Sequence, residues 1–184
     1  ASKAMAEQLV RDAAHGGLET VAIRPRFVWG RGDTTLLPTM AELVRSGRFR
    51  WVGGGRQLTS VTHVDNVIEG LLLGAERGRP GEAYFVTDGE PVVFREFVTR
   101  LLATQGVEVP SKTLPLPVAK AAAAACETLW RRLPLKGEPP VTRTAIWLSA
   151  LEVTLDISKA RSELGYEPRV SMEEGLEQLE AKAA

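Results

Sequence analysis

Residues 19–33 read ETVAIRPRFVWGRGD, and the interpretation of the whole chain starts from this stretch. Residues 20–23 are a mostly β-branched run, which is typical of a parallel strand that is covered on both faces. Pro25 has no N–H to donate, so we expect the strand to end there. The loop that follows, up to Gly30, lies beyond the carboxyl end of the strand, where open α/β sheets bind their ligands. The stretch therefore predicts a binding loop.

Helices are predicted on both sides of this strand. Residues 2–15 are rich in strong helix formers with apolar residues four apart on one face. Residues 67–78 are strongly apolar, and we expect them to form a helix that is buried on most sides. Ser171 followed by Glu174 is a capping-box pattern that opens a last helix. Alternating helices and short strands of this kind indicate an α/β protein.

A further helix, predicted over residues 117–133, contains a run of alanines. Three interpretations of it stay open: a lid over an apolar substrate, a helix on a membrane surface, or ordinary packing. Packing is the default for an apolar stretch that is this short and this rich in alanine. Residues 113–151 as a whole are dominated by apolar residues.

Composition excludes several classes of function. The 184 residues include 23 basic and 23 acidic side chains, and this balance argues against a general electrostatic grip on nucleic acid. Cys126 is the single cysteine, so an intrachain disulfide is excluded. The two histidines and the cysteine lack the spacing of metal ligands, and no metal site is predicted. No segment has the length of a transmembrane helix and no signal-peptide pattern is visible, so the default expectation is a cytoplasmic protein.

Several motifs together resemble an extended short-chain dehydrogenase/reductase of the NAD-dependent epimerase/dehydratase family, closest to its 3β-hydroxysteroid and sterol dehydrogenase-like branch. Enzymes of this family carry a Tyr-x-x-x-Lys motif on a helix, followed by a strand that ends in an Arg-Pro loop. The matching positions are Ser2-Lys3 with Ala6-Glu7, Arg24-Pro25 to Gly30, and residues 64–66, 87–89 and 156–166.

The resemblance implies an α/β fold made of the C-terminal part of a Rossmann-type parallel sheet and a smaller, mostly helical substrate-binding lobe. Residues 1–35 and 56–80 are assigned mainly to the distal part of the Rossmann lobe, and residues 36–55 and 81–184 mainly to the substrate lobe. The family tyrosine is expected two positions before Ala1. The nucleotide-binding half with its glycine-rich loop is also expected upstream, so this stretch alone is expected to be inactive.

The resemblance also implies site residues. Lys3 corresponds to the family lysine, which lowers the pKa of the tyrosine and holds the ribose of NAD or NADP. Core packing is an alternative role for Phe27, the aromatic residue of the loop that is assigned below. A solvated position on the surface is the alternative for the arginines. The positions assigned to the cofactor are Lys3, Pro25, Phe27 and Val28, and those assigned to substrate are Arg26, Arg31 and Arg56.

The implied activity is hydride transfer between nicotinamide C4 and the carbinol carbon of a secondary alcohol or ketone. The apolar character of residues 113–151 favours a sterol-like or other apolar small-molecule substrate. Two alternatives stay open: a sugar-nucleotide epimerase or dehydratase, and a non-catalytic dinucleotide sensor on the same fold. Nucleic acid is not an expected partner, whereas peripheral membrane contact and a homodimer are left open.

Overall fold

The computed structural model describes residues 2–133, 137, 139 and 141–183. Helices and short strands alternate along these residues, which confirms the predicted α/β class. The helices are α1 (Ser2–His15), α2 (Leu36–Arg45), α3 (Val64–Arg77), α4 (Phe94–Ala103), α5 (Leu116–Arg132), α6 (Arg143–Ala150), α7 (Ser158–Leu164) and α8 (Met172–Ala183). The strands are β1 (Ala22–Pro25), β2 (Val28–Trp29), β3 (Trp51–Val52), β4 (Leu58–Thr59), β5 (Thr62–His63), β6 (Ala83–Val86), β7 (Val92–Val93) and β8 (Thr113–Leu114).

The chain divides into two compact units. Unit 1 consists of Ala1–Leu37, Ser60–Pro91 and Thr154–Ala184, and unit 2 of Pro38–Thr59 and Val92–Val153. This division differs from the predicted lobes, since residues 81–91 and 154–184 belong with the strand and helix of the opening stretch. The reason is tertiary, because β6 pairs with β1 and α7 packs against β6.

Unit 1 is built on parallel strand pairs. β1 pairs with β6 over four residues, from Ala22 opposite Ala83 to Pro25 opposite Val86, and β2 pairs with β5. The end of β1 at Pro25 is as predicted, but the strand begins two residues later than expected. Thr20 lies outside the strand and its hydroxyl donates to the Val10 carbonyl at 2.9 Å, which anchors the preceding helix.

Two glycines let α3 lie close to the strands β1 and β6. A Cβ added at Gly70 would lie 2.8 Å from Cγ1 of Val86, and one at Gly74 would lie 2.9 Å from Cδ1 of Ile23. Real Cβ atoms do not approach other carbons so closely, so a larger residue at Gly70 would force Val86 to shift, whereas at Gly74 the flexible end of the Ile23 side chain could move aside. The four-residue spacing of these glycines puts them on one face of α3.

The opposite face of α3 corrects one expectation. Ile68, Leu71 and Leu72 are 49%, 53% and 61% exposed, so the helix is buried on one side rather than on most sides. The helix also starts three residues earlier than predicted. Its N-cap is His63, whose Nδ1 accepts a hydrogen bond from the Asp65 N–H at 3.3 Å.

Unit 2 contains one parallel strand pair, β3 with β8, and one antiparallel pair, β4 with β7. Trp51 is buried and packs edge-to-face against Phe49 and Phe94, with ring centroids 4.8 and 6.3 Å away. A parallel bridge joins Val153 to Thr59.

The helices α5 and α6 pack on each other through small residues. Ala119 and Ala123 of α5 and Ile146 of α6 form a buried cluster, supported by partly buried side chains that include Val52 and Leu114. The default interpretation of the alanine-rich helix, ordinary packing, is confirmed for this face. No helix within the described part of the chain combines the length and apolarity that crossing a membrane requires.

Candidate functional site

Helix α1 runs antiparallel to strand β1. The carbonyl of Val10 in α1 accepts a hydrogen bond from the hydroxyl of Thr20. Nearly one turn earlier in the helix, the carboxylate of Glu7 accepts a hydrogen bond from Nε of Arg24, near the end of β1, at 2.8 Å. A second guanidinium nitrogen of Arg24 contacts the other Glu7 oxygen, so the pair is bidentate. The hydrogen bonds lower the pKa of Glu7 and raise that of Arg24. The first turn of α1, which carries the exposed Lys3, therefore lies at the carboxyl end of β1.

The loop after β1 is held in a strained conformation. Phe27 has φ 42°, and it is the one non-glycine residue with positive φ among the residues that the structure describes. The Arg26 guanidinium carbon lies 4.7 Å from the centre of the Phe27 ring. Thr62 fixes the loop backbone, because its hydroxyl accepts from the Arg26 N–H at 3.2 Å and donates to the Arg26 carbonyl at 2.9 Å. Such strain persists only where surrounding contacts enforce it, and it clusters at functional sites.

The positions expected to contact the cofactor lie within this short loop. Pro25 is half-buried and is the last residue of β1, while Val28 is 41% exposed and pairs with Thr62. Phe27, between them, is half-buried, so it combines some packing with an accessible surface. The structure thus brings Pro25, Phe27 and Val28 together in unit 1, at the end of the strand beside which α1 begins.

The three arginines assigned to substrate are divided between the two units. Arg26 is half-buried and burial lowers its pKa. Arg31 is exposed and forms an ion pair with Asp65, with its NH2 3.7 Å from Oδ2. Arg56 is exposed and belongs to unit 2. Their assignment to substrate stays a prediction.

A buried polar network links the elements of unit 1. Asp88 accepts hydrogen bonds from the Trp29 indole at 2.7 Å, from the Asn66 side-chain amide at 2.7 Å and from the His63 backbone at 2.6 Å. Burial raises the pKa of Asp88, and the three donors oppose that rise. The His63 ring is fully buried with its edge against Trp29, at 4.9 Å between ring centroids, and burial lowers its pKa. His63 is therefore packed inside unit 1, and burial favours the uncharged form of its ring.

Asn66 extends the network to the C-terminal segment. Its side-chain oxygen accepts from the backbone N–H groups of Arg169 and Val170 at 2.8 and 3.0 Å, and its amide donates to the Val170 carbonyl at 2.8 Å. Glu69, one turn further along α3, forms an ion pair with Arg169 at 2.8 Å. From the sequence, residues 64–66 and 87–89 were identified only as family motifs. Their polar side chains next to apolar strands were the signal that could have predicted a shared hydrogen-bond network.

Unit 2 contributes an apolar cavity between α5 and α6. Its volume is about 570 Å³, within the range of sites for small organic ligands. Two cationic side chains, Lys120 and Arg143, also line it. The apolar walls come from Leu116, Ala124, Ile146, Trp147 and Leu151. This cavity lies within residues 113–151, the region whose composition favours an apolar substrate.

The parallel strand pairs and the helices that alternate with them along the chain define an α/β protein. Residues 1–118 match the sequence model of the 3-beta hydroxysteroid dehydrogenase/isomerase family. The chain belongs to this family, which confirms the resemblance drawn from the motifs.

Relatives of known description span a range of substrates. The chain is 52% identical over 179 residues to 4-hydroxy-2-methyl-3-oxo-4-farnesyl-3,4-dihydroquinoline-1-oxide ketoreductase of Stigmatella aurantiaca, covering 97% of this chain and 54% of that protein. It is 42% identical over 189 residues to 2-alkyl-3-oxoalkanoate reductase of Stenotrophomonas maltophilia (strain K279a), covering 100% of this chain and 57% of the relative. The chain thus spans about half the length of the curated relatives it matches.

A solved structure supports the fold. DesIV, a dTDP-glucose 4,6-dehydratase from Streptomyces venezuelae solved with NAD and TYD bound, matches 98% of this chain and 48% of its own chain with a TM-score of 0.67. At 23% sequence identity, this likeness shows a shared Rossmann-type α/β fold.

Proposed function

We propose that this chain is part of an NAD(P)-dependent oxidoreductase or epimerase that acts on a secondary alcohol or ketone of an apolar molecule. The single observation that carries the proposal is the direction of α1 in a member of this family. Contacts at Val10 and Glu7 direct the start of the helix to the carboxyl end of β1, where Lys3 and the strained loop come to the same end of unit 1.

The residues present fit a nicotinamide dinucleotide. Lys3 is exposed and has no ion-pair partner within the described chain, so its ammonium can donate to ribose hydroxyls. The exposed Val28 and the half-buried Phe27 offer an apolar surface of the kind on which a flat ring packs. The dinucleotide, when bound, supplies or accepts the hydride.

The roles proposed for the protein are positioning and proton control. Lys3 would hold the ribose and, as a nearby cation, lower the pKa of a phenol one helical turn earlier, favouring the ionised form that accepts a proton from a substrate hydroxyl. The ion pair of Glu7 with Arg24 would keep α1 seated on β1 while this happens. Thr62 would maintain the backbone of the loop at Arg26.

An apolar ketone or alcohol is the substrate class that we propose. Two relatives are named as reductases of a farnesylated quinoline oxide and of 2-alkyl-3-oxoalkanoates, and a third, 31% identical, is a sterol-4-alpha-carboxylate 3-dehydrogenase of Dictyostelium discoideum. These molecules share a large hydrocarbon part. The apolar cavity in unit 2 supports the same class for this chain.

The sugar-nucleotide alternative has less support. It would require basic side chains for a diphosphate, but Asp65 is already paired with Arg31 and Arg26 stacks on Phe27. A non-catalytic dinucleotide sensor would keep the loop and the ribose contact of Lys3 but would not need the effect of Lys3 on a phenol. Turnover, rather than cofactor binding, therefore separates the enzyme from the sensor.

The test is made in the complete protein that carries this chain. In Lys3→Met we expect turnover of an apolar ketone with NAD(P)H to fall by about 10² or more, the usual contribution of proton-transfer and orienting groups. The KM for NAD(P)H should also rise, and Lys3→Arg should recover part of the cofactor binding because it keeps the charge. Turnover and cofactor KM are measured by nicotinamide absorbance.

The matched control is Lys112→Met, which removes an exposed lysine of unit 2 that no cofactor role involves. It should behave as the unaltered protein. If Lys3→Met kept both kcat and the cofactor KM, the enzyme proposal would be wrong. If the protein bound dinucleotide without reducing any ketone, the sensor alternative would replace it.

A further inference from the structure

We propose that the cavity between α5 and α6 binds an aliphatic carboxylate, with the hydrocarbon chain between the helices and the carboxylate beside Lys120. The inference deepens the proposed function, on which it rests for the view that this ligand is the substrate. Binding itself is an equilibrium that can be measured without cofactor or turnover.

The walls of the cavity suit a hydrocarbon chain. On α5, Leu116 and Ala124 lie four residues before and four residues after Lys120, so all three share one face of the helix. On α6, Ile146 is 7% exposed and forms part of the buried cluster beneath. The short Ala124 side chain leaves room that a larger residue would fill. A volume of about 570 Å³ is enough for a medium-sized organic ligand.

Trp147 gives the cavity an unusual rim. Its side chain is 52% exposed although tryptophan is among the largest apolar residues. It lies four residues after Arg143 on α6, so both point to the same side of that helix. A half-exposed indole beside a cavity offers a rigid apolar surface with little conformational entropy to lose on binding. The rim therefore favours an apolar ligand over water.

The two cationic side chains that line the cavity differ in how far an acidic partner balances their charge. Arg143 is paired with Glu127, with its Nε 3.3 Å from Oε2, so much of its charge is balanced. Lys120 has no ion-pair partner within the described part of the chain, and no acidic side chain is found among the described residues that line the cavity. Lys120 is exposed, so it presents a solvated cation beside the cavity rather than a buried charge.

One unbalanced cation selects a monoanion. A phosphate or diphosphate carries more charge than Lys120 alone can match, and protein sites for such groups commonly use several donors or a bidentate arginine. A neutral alcohol can place the same hydrocarbon chain against the walls but offers no charge to the exposed ammonium. A carboxylate on a hydrocarbon chain matches both the charge and the walls.

The cavity is also held open by local contacts. The Arg143 backbone N–H donates to Glu127 at 2.7 Å, and the Thr142 hydroxyl caps α6 by accepting from Ala145 at 3.1 Å. At the other end of α6, the side-chain amide of Gln57 donates to the Ser149 carbonyl. Both ends of α6 are thus fixed, so the cavity is largely formed before a ligand binds.

A membrane surface is the competing interpretation of this region. Val118 and Leu129 on α5 are 51% and 48% exposed, and basic residues follow at Arg131 and Arg132. The cavity is a separate apolar surface, because its Ile146 is recessed at 7% exposure and does not belong to the exposed face formed by Val118 and Leu129. Insertion into a bilayer needs a protruding apolar face, whereas a single chain needs a recess.

The test is displacement of the neutral fluorescent probe N-phenyl-1-naphthylamine from the purified protein without cofactor. We expect dodecanoate to displace the probe about two- to fivefold more strongly than dodecanol, since only dodecanoate can form the exposed ion pair with Lys120. In Lys120→Gln, the affinity for dodecanoate should fall to that for dodecanol, and the affinity for dodecanol should not change. In Ala124→Leu, the affinity for both ligands should fall by about tenfold or more.

Two controls match these variants. Ala122→Leu adds the same side chain to the same helix at an exposed position outside the cavity, and Lys112→Gln removes an exposed lysine elsewhere in unit 2. Both should bind dodecanoate as the unaltered protein does. Circular dichroism of all four variants should superimpose, which excludes misfolding as the cause of a loss.

Three results would overturn the proposal. Equal loss of affinity in Ala124→Leu and Ala122→Leu would exclude the cavity as the site. Dodecanoate binding that is unchanged in Lys120→Gln would exclude the carboxylate contact. Binding to phosphatidylglycerol–phosphatidylcholine vesicles that Ala124→Leu leaves unaffected, without dodecanoate binding, would assign the region to a membrane. Dodecanoate binding in a protein that reduces no ketone would refute the proposed function alone, and ketone reduction without dodecanoate binding would refute this inference alone.

Discussion

Unit 1 and unit 2 reach a folded core by different means. In unit 1, Asp88 collects hydrogen bonds from Trp29, His63 and Asn66, and Asn66 in turn holds the segment that precedes α8. In unit 2, α5 and α6 meet through alanines and a single isoleucine, with a cavity beside the contact. The hydrogen bonds of unit 1 depend on the direction and distance between polar groups, whereas the helix contact in unit 2 depends on how apolar side chains fill the volume between the helices.

This difference indicates how each region responds to change. A buried polar network becomes costly as soon as one member is removed, because the remaining groups lose partners that water cannot replace. An alanine-rich helix pair with a cavity can accept or lose apolar volume at lower cost. Unit 1 would therefore preserve the geometry of the loop after β1, while unit 2 could vary its ligand. The following changes test that contrast, from the largest expected effect to the smallest.

Removal of the central carboxylate should have the largest effect. In Asp88→Ala, three buried donors lose their acceptor, and we expect the free energy of unfolding to fall by about 4 kcal/mol. Urea denaturation followed by circular dichroism measures this. Asp12→Ala, at an exposed position of α1, is the control and should change stability by less than about 0.5 kcal/mol. Similar values for both variants would mean that the network does not hold unit 1 together.

A methyl group at the helix–strand contact should have the next largest effect. In Gly70→Ala, the new carbon would meet Cγ1 of Val86 at 2.8 Å, and we expect a loss of about 2 kcal/mol from the shift that this forces. In the double variant Gly70→Ala with Val86→Ala, the clash is relieved. The combined loss should therefore be smaller than the sum of the two single losses. Simple additivity would contradict the close approach of α3 to β6.

The pH dependence of stability should show a smaller effect of His63. Burial lowers its pKa in the folded state, so below about pH 6.5 the unfolded chain binds the proton more readily. Stability is then highest above that value and falls as the pH decreases, by at most about 1.4 kcal/mol per pH unit for one group.

The measurement compares urea denaturation of the unaltered protein with that of His63→Gln between about pH 7.5 and 5.5. The variant should lose the acid-dependent part of the slope. Asp88 acts with the opposite sign, because its raised pKa lets the folded chain take up that proton first. An identical slope in both proteins would mean that His63 is charged, or accessible to water, in the folded state.

The smallest effect on stability is expected in unit 2. Trp147 is half exposed, so Trp147→Ala should reduce the free energy of unfolding by no more than about 1 kcal/mol. The same variant should lose most of its affinity for dodecanoate in the displacement assay. Stability loss on the scale of Asp88→Ala would remove the contrast between the two units.

Local features were predictable from sequence with good accuracy. The bounds of α1 at Ser2 and His15 are as predicted, and the capping box is present, with the Ser171 N–H donating to Glu174 at 2.8 Å. These features depend on neighbouring residues only. The start of β1 was misplaced by two residues, because its pairing with the distant β6 decides it. The start of α3 was misplaced by three residues, because its cap is His63, a residue type that the sequence analysis did not treat as a cap. The assignments of Lys3 and the loop to a cofactor stay predictions.

The sequence by itself determined the α/β class, the bounds of α1, the capping box before α8 and the family motifs, since each depends on residues that are close together along the chain. Only the tertiary structure decided that Asp88 joins Trp29, His63 and Asn66, which are 59, 25 and 22 residues away. It also decided that α5 and α6 leave a cavity. Both outcomes depend on how separate segments pack in space, and neither local propensity nor periodicity contains that information.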